Sequence, residues 1–260
     1  MILAVDIGNS QIVLGYMEGL EIGKIARMAT DTARTSYEYA VAIKQIMEFD
    51  GIDCHSFEGV ILSSVVTPLT ETMKEALHVL TGHTAIIVGA GIKTGLNIKI
   101  DNPAELGSDL VAAGVAAIAD YQLPVIIVDM GTATTIEVID ANANFLGGAI
   151  IPGIRLSLEA LSSGTSKLPN VPIRVPSRCI GTNTFECMQS GSIFGAAALI
   201  DGMIARMEEE LGEPATIVAT GGLASTIVPY CKREILYDEN LLLRGLAIIY
   251  QKNKKQPRDK

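Results

Sequence analysis

Two stretches of the chain share one plan. Met1–Ser10 reads MILAVDIGNS, and Pro124–Thr135 reads PVIIVDMGTATT. Each is an apolar run that meets an aspartate, one more apolar residue, a glycine and then small polar residues. Each continues into a second apolar run, Ile12–Tyr16 and Ile136–Ile139. A short apolar run bounded by turn formers is a buried strand, and glycine beside Asn or Thr supplies the turn. One copy is what any strand-turn-strand would show. Two copies in a chain of 260 residues point to two similar halves.

The remaining pattern fits that division. Ile2–Val5, Gln11–Tyr16 and Glu21–Met28 are expected as strands. Ser36–Met47 has helical spacing of Tyr39, Val41, Ile43, Ile46 and Met47. Val60–Val66 is then a strand, Pro68–Leu80 a helix and Thr84–Val88 a strand. Residues 90–107 look irregular, and Ser108 or Asp109 caps a helix to about Asp120. The order restarts with strands at Val125–Val128, Thr135–Ile139 and Asn144–Ile150. A helix ends near Ser163, and Lys167–Pro176, with three prolines, is a loop. Asn183 with Glu186 resembles a capping box that opens a long helix to about Leu211. Thr216–Ala219 is a strand running into Thr220-Gly221-Gly222, and Leu241–Lys252 is the last helix. The expected organisation is two α/β halves, 1–120 and 121–260, with a ligand cleft between them.

Composition limits the partners. Apolar residues make up 48% of the chain, enough for two cores, and the formal charge is −9. That charge disfavours nucleic acid and anionic membrane surfaces. The basic segment Lys252 to Lys260 is expected to be a solvated terminus. Four scattered cysteines without a CxxC pair and only three histidines disfavour a zinc centre. They suit a reduced, cytoplasmic chain. Asp6 interrupts the first apolar run, so a secretory leader is not expected. Neither is a membrane span, since no apolar run reaches about 18 residues.

The loops themselves suggest chemistry. Glycine with small neighbours lets backbone N–H groups approach a phosphate. Ser10, Thr132 and Thr134 add hydroxyls, and a strand-end aspartate can hold Mg2+, which prefers oxygen ligands. Asp109 at a predicted helix head lies where exposed N–H groups can hold an anion.

With Thr220-Gly221-Gly222, these loops resemble the phosphate-1, phosphate-2 and adenosine motifs of the acetate and sugar kinase/Hsp70/actin superfamily. Within it the chain resembles the type III pantothenate kinases over nearly its whole length. The stretches that carry this are DIGNS, SSVVTP (63–68), DNPAELGSD (101–109), DMGTATT, GGAIIPGI (147–154), IGTNTFECMQSG (180–191), ATGGLA (219–224) and LLLRGLAIIYQKN (241–253).

The resemblance implies two ribonuclease H-like (actin-like ATPase) domains around a central ligand cleft. It implies ATP-dependent phosphorylation of pantothenate, with Mg2+ and a monovalent cation, K+ or NH4+, in a homodimer. Carried over by position, Asp6, Ile7, Gly8, Asn9, Ser10, Gln11, Ile12 and Val13 form the first ATP loop, with Asp6 toward Mg2+. Thr132, Gly221 and Gly222 also meet ATP, and Asp129 ligates the monovalent cation. Asp109 is the catalytic base. Ile100, Gly107, Ser108, Asp109, Leu110 and Thr184 line the pantothenate site. Two positions depart from the family pattern, which has arginine where this chain has Leu110 and often tyrosine where it has Ile100. A carboxylate favours an arginine fork, which leucine cannot supply. Three readings stay open: a pantothenate kinase with another cation such as Lys99, Arg155 or Lys167 on the carboxylate; a same-fold kinase for another hydroxyl acceptor; and a non-catalytic nucleotide-binding accessory factor.

Overall fold

The computed structural model describes residues 1–254. In chain order the strands are β1 (Ile2–Ile7), β2 (Gln11–Glu18), β3 (Glu21–Ala29), β4 (Gly59–Ser64), β5 (Ile86–Ile87), β6 (Asn97–Ile98), β7 (Val125–Met130), β8 (Ala133–Ile139), β9 (Asn144–Pro152), β10 (Thr216–Thr220) and β11 (Leu236–Tyr237). The helices are α1 (Ser36–Asp50), α2 (Thr67–Thr81), α3 (Ser108–Asp120), α4 (Ile154–Gly164), α5 (Thr184–Leu211), α6 (Ala224–Ile227) and α7 (Leu241–Asn253).

The two halves repeat one topology. The first sheet has the order β3-β2-β1-β4-β5, and the second contains β9-β8-β7-β10-β11, with β6 added beside β9. In each, three antiparallel strands come first and two parallel strands follow. This is the expected ribonuclease H-like order, met twice. A parallel neighbour needs a crossover, and α1 supplies it between β3 and β4.

Among the described residues, the first unit comprises Met1–Leu96, Asp101–Ala119 and 241–254. Its sheet buries Leu3, Val5, Ile7, Ile12 and Leu14 against Tyr39, Ile43 and Met47 of α1 and Leu69, Met73 and Leu77 of α2. Thr35 caps α1: its hydroxyl accepts from the Glu38 N–H, and Glu38 reciprocates to the Thr35 N–H. The β1 side chains Ile2 and Ala4, on the other face, are as fully buried. Helix α7 packs on β1 and β4 and so belongs to this unit. A single cut at 120/121 therefore does not describe the chain. The last helix is amphipathic, and sequence order does not say which sheet its apolar stripe will cover.

The second unit comprises Asn97–Ile100 and Asp120–Asn240. Ile126, Val128, Ile136 and Val138 of its sheet pack against Leu158 of α4 and Ile193, Ala197, Ile200 and Ile204 of α5. Helix α5 has 28 residues and a stretch of mean hydropathy 1.2, long and apolar enough by composition to cross a membrane. Its buried stripe serves this core instead. The segment expected to be irregular, 90–107, holds β6 and a single 3-10 turn at Pro103–Glu105. β6 pairs only at Asn97 and Ile98 with Asn144 and Phe145, too briefly to leave a periodic signal. The same holds for β11, which sequence reading missed. Lys252 and Asn253 are not part of a frayed terminus: they close α7, and the Asn253 side chain bonds both N–H and C=O of Lys93. The rest of the basic segment, 255–260, lies outside the described residues.

Candidate active site

The two aspartates of the repeated loops end equivalent strands. Asp6 stands opposite Val13 in β2 and Ser63 in β4. Asp129 stands opposite Thr135 in β8 and Thr220 in β10. Side chains alternate across a strand. Val5 and Ile7 point into the α1–α2 core, so Asp6 points to the other face. Val128 and Met130 do the same for Asp129 in the second unit. Each carboxylate is half-buried, and each has a buried hydroxyl residue beside it on the parallel strand, Ser63 or Thr220. Sequence reading passed over these neighbours as single residues. The available signal was a polar side chain closing an apolar strand.

The loops after the aspartates are built alike. In the first, the Gly8 N–H donates to Gln11 O at 2.9 Å. Thr30, just past β3, donates its hydroxyl to Gly8 O at 2.6 Å and its N–H to Ser10 O at 3.2 Å. Asn9, Ser10 and Gln11 form an exposed tip, while Ile12 is buried and Val13 half-buried. In the second, the Gly131 N–H donates to Ala133 O at 3.0 Å, and the Gly153 N–H donates to Thr132 O at 3.1 Å. Thr132 is exposed, whereas Thr134 is buried. Gly221 lies against this second loop with φ +92°. A Cβ there would sit 2.5 Å from Asp129 Oδ1 and 2.6 Å from the Met130 nitrogen. Thr220-Gly221 is thus packed on Asp129, and Gly222 is exposed beside it.

Asp109 sits in the first turn of α3, in the first unit. It is partly buried, and its Oδ1 accepts the Leu110 N–H at 2.8 Å. Burial raises its pKa above the usual carboxylate value, partly opposed by backbone N–H bonds from Leu110 and from Asp109 itself. The preceding Gly107 keeps room for this carboxylate, since a Cβ would lie 2.4 Å from Oδ1. The hydroxyl of Ser108 does not serve as a helix cap. It reaches across to β4, where it meets Ser63 Oγ at 3.0 Å, the Ser64 N–H at 2.9 Å and Ser64 O at 3.2 Å.

Of the remaining predicted acceptor residues, Leu110 is half-buried in the first unit. Ile100 belongs to the second, half-buried near Gly147. Thr184 is the exposed first residue of α5. The α5 cap differs in part from expectation. Asn183 accepts the Glu186 N–H at 3.0 Å, but Glu186 reaches back to Thr182 rather than to Asn183. Lys99, Arg155 and Lys167 are all exposed residues of the second unit.

Residues 2–206 match the family described as type III pantothenate kinase. The type III pantothenate kinase of Moorella thermoacetica is 42% identical over 253 residues, covering 97% of this chain and 100% of that protein. Among solved structures, a Baf family transcriptional activator from Campylobacter jejuni superposes with a TM-score of 0.62 at 23% identity, over 96% of this chain and 98% of that one. A ROK family glucokinase from Streptomyces griseus, in complex with glucose and AMPPNP, does so with a TM-score of 0.51 at 14% identity, over 96% and 98%. These two likenesses speak for the fold, an actin-like ATPase fold of two ribonuclease H-like domains. Sequence identity over the full length speaks for more: the chain belongs to the type III pantothenate kinase family.

Proposed function

We propose that the chain transfers the γ-phosphoryl group of ATP to the terminal hydroxyl of pantothenate, the first step toward coenzyme A, in the cytoplasm. The observation that carries this reading is Asp109: a carboxylate with a raised pKa at a helix head, tied through Ser108 to the strand that flanks Asp6. Asp109 removes the hydroxyl proton as the oxygen–phosphorus bond forms. The bond from the γ-phosphorus to the bridging oxygen breaks, and ADP leaves. The protein's part in such a transfer is to position the reactants and offset charge. Asp6 through Val13, Thr132, Gly221 and Gly222 hold ATP. Gly107, the backbone of Ser108, Asp109, Leu110, Ile100 and Thr184 hold pantothenate.

The donor sets suit hard cations. Asp6 offers a carboxylate with Ser10 on the adjoining tip, all oxygen donors fitting Mg2+. Asp129 offers a carboxylate beside Thr220, without sulfur or imidazole, fitting K+ or NH4+. These cations would offset phosphate charge. Activity is therefore expected to need Mg2+ and, in a Tris-buffered assay, to rise when KCl or NH4Cl is added. A rate indifferent to both salts would remove Asp129 from its role.

A homodimer is proposed as well. Its support in this chain is a set of exposed apolar side chains in the second unit: Ile150 on β9, Leu156 and Leu161 on α4, and Ile180 and Phe185 around the head of α5. Thr184 directly precedes Phe185 at the head of α5, and the acceptor pocket is expected near the interface. Light scattering should give about twice the 27.5 kDa of one chain; a monomer at micromolar concentration would contradict the dimer.

Leu110 gives a sharper test of the acceptor. A charge-assisted hydrogen bond contributes about 1.5–3 kcal/mol, so Leu110→Arg is expected to lower the KM for pantothenate by roughly 10–100-fold. kcat should change little, because such a contact acts on ground and transition states alike. An unchanged KM would mean that another cation, such as Lys99, Arg155 or Lys167, already holds the carboxylate. ATP binding without pantothenate turnover in either protein would move the reading to another hydroxyl acceptor or to a non-catalytic accessory role. Measuring ATP hydrolysis with and without pantothenate separates these outcomes.

A further inference from the structure

Ser63 is an oddity of composition. It follows Val60, Ile61 and Leu62 in β4, and it is 0% exposed. A buried hydroxyl is costly unless it is hydrogen-bonded. Its partner lies far along the chain, at the head of α3. Ser108, 9% exposed, brings its Oγ to 3.0 Å from Ser63 Oγ, 2.9 Å from Ser64 N and 3.2 Å from Ser64 O.

A serine hydroxyl has one donor and two acceptor sites. Ser108 Oγ accepts from the Ser64 N–H, and its one proton is shared between Ser64 O and the bond with Ser63, in which either oxygen can donate. All three of these contacts are with β4. A second layer stiffens the same turn: the Thr70 hydroxyl donates to Ser64 Oγ at 3.1 Å, and Ser64 Oγ bonds both N–H and C=O of Val66.

We infer that Ser63 and Ser108 form a clamp that positions Asp109, and that the Ser108 hydroxyl does not bind the substrate. The inference rests on the reading of Asp109 as the base. Its geometry is a continuous path through one unit. Asp6 pairs with Ser63 across the ladder, Ser63 bonds Ser108, and Ser108 precedes Asp109. The clamp sets the depth of the base relative to the strand end that presents the ATP loop. Without it, α3 is still held by its apolar face, Val111, Ala112, Val115 and Ala116. Its first turn loses the directional tie.

The test is steady-state kinetics on full-length Ser108→Ala, Ser63→Ala, the double variant and Asp109→Asn, with rates normalised to ATP-binding sites. Misplacing a reacting group by about 1 Å can cost roughly 100-fold, so Ser108→Ala is expected to lower kcat by about 10–100-fold. The KM values for ATP and pantothenate should stay within about threefold, because the hydroxyl touches neither. Ser63→Ala removes one bond of three and is expected to lower kcat by roughly fivefold. The double variant should be no worse than Ser108→Ala, as expected for coupled residues. A raised KM for pantothenate at unchanged kcat in Ser108→Ala would make that hydroxyl a substrate contact and overturn the inference. So would a wild-type kcat in both single variants. Should Ser108→Ala not fold, Ser63→Ala decides alone by the same criterion. Asp109→Asn tests the underlying reading separately: if it is inactive while the serine variants are normal, only the clamp falls. If it turns over at the wild-type rate, the base assignment falls and the clamp with it.

Discussion

Asp109→Asn is expected to lower kcat by about 10²–10⁴-fold while ATP still binds. The amide keeps the shape of the side chain and can still accept the Leu110 N–H, so the first turn of α3 should persist. It cannot take the proton of the acceptor hydroxyl. The pH dependence supplies a second signature. Burial raises the Asp109 pKa, so the acid limb of the wild-type kcat profile should lie above the value of about 3.9 that is ordinary for a free aspartate. That limb should be absent from the residual activity of the variant. The stability effect has a definite sign. A carboxyl whose folded pKa is raised costs stability when ionised. The cost is absent below the unfolded pKa and grows as pH rises from there through the folded value. Asp109→Asn should therefore melt no lower than the wild type at neutral pH and gain nothing in strong acid. Turnover within threefold of wild type would remove Asp109 from the base role.

Gly221→Ala is expected to weaken ATP binding by more than tenfold. Two costs act together. A φ of +92° is poorly accessible to a residue with a Cβ, at about 1–2 kcal/mol. The added carbon would also stand 2.5 Å from Asp129 Oδ1 and 2.6–2.7 Å from the Met130 nitrogen and carbonyl carbon, and these last two are backbone atoms that no side-chain rotation can move away. Relief requires the β10 end to move away from the β7 end, which displaces Asp129 and the following Gly131-Thr132 turn. The acceptor residues of the first unit do not share this strain. Calorimetric titration of ATP against the variant checks the expectation, and an unchanged Kd would show that Gly221 is only a turn residue.

Much of this architecture was legible in the chain itself. The doubled Asp-x-Gly loop announced two halves of like topology because an apolar strand that ends on a carboxylate and a glycine is locally costly and rarely repeats by accident. The amphipathic periods of α1, α2 and α5 and the Asn183 cap are local signals, set by contacts within a few residues, and sequence spacing reports them directly. The short strands β6 and β11 were not legible, since two paired residues leave no periodicity. Nor was the unit to which α7 belongs, because its apolar stripe names a partner only by shape.

The candidate site divides in the same way. Which residue types could meet phosphate, cation and hydroxyl was determined by the sequence, through Asp6, Asp109, Asp129 and the glycines beside them. Which neighbours fix those groups was decided by tertiary structure alone. The bond between Ser63 and Ser108 spans 45 positions. Thr30 holds Gly8 across 22, and Gly221 presses on Asp129 through the parallel pairing of β10 with β7. A hydrogen bond or a close contact depends on distance in space. A linear pattern carries that distance only when the chain between the partners is a single regular helix or strand, and here it runs through at least two separate elements.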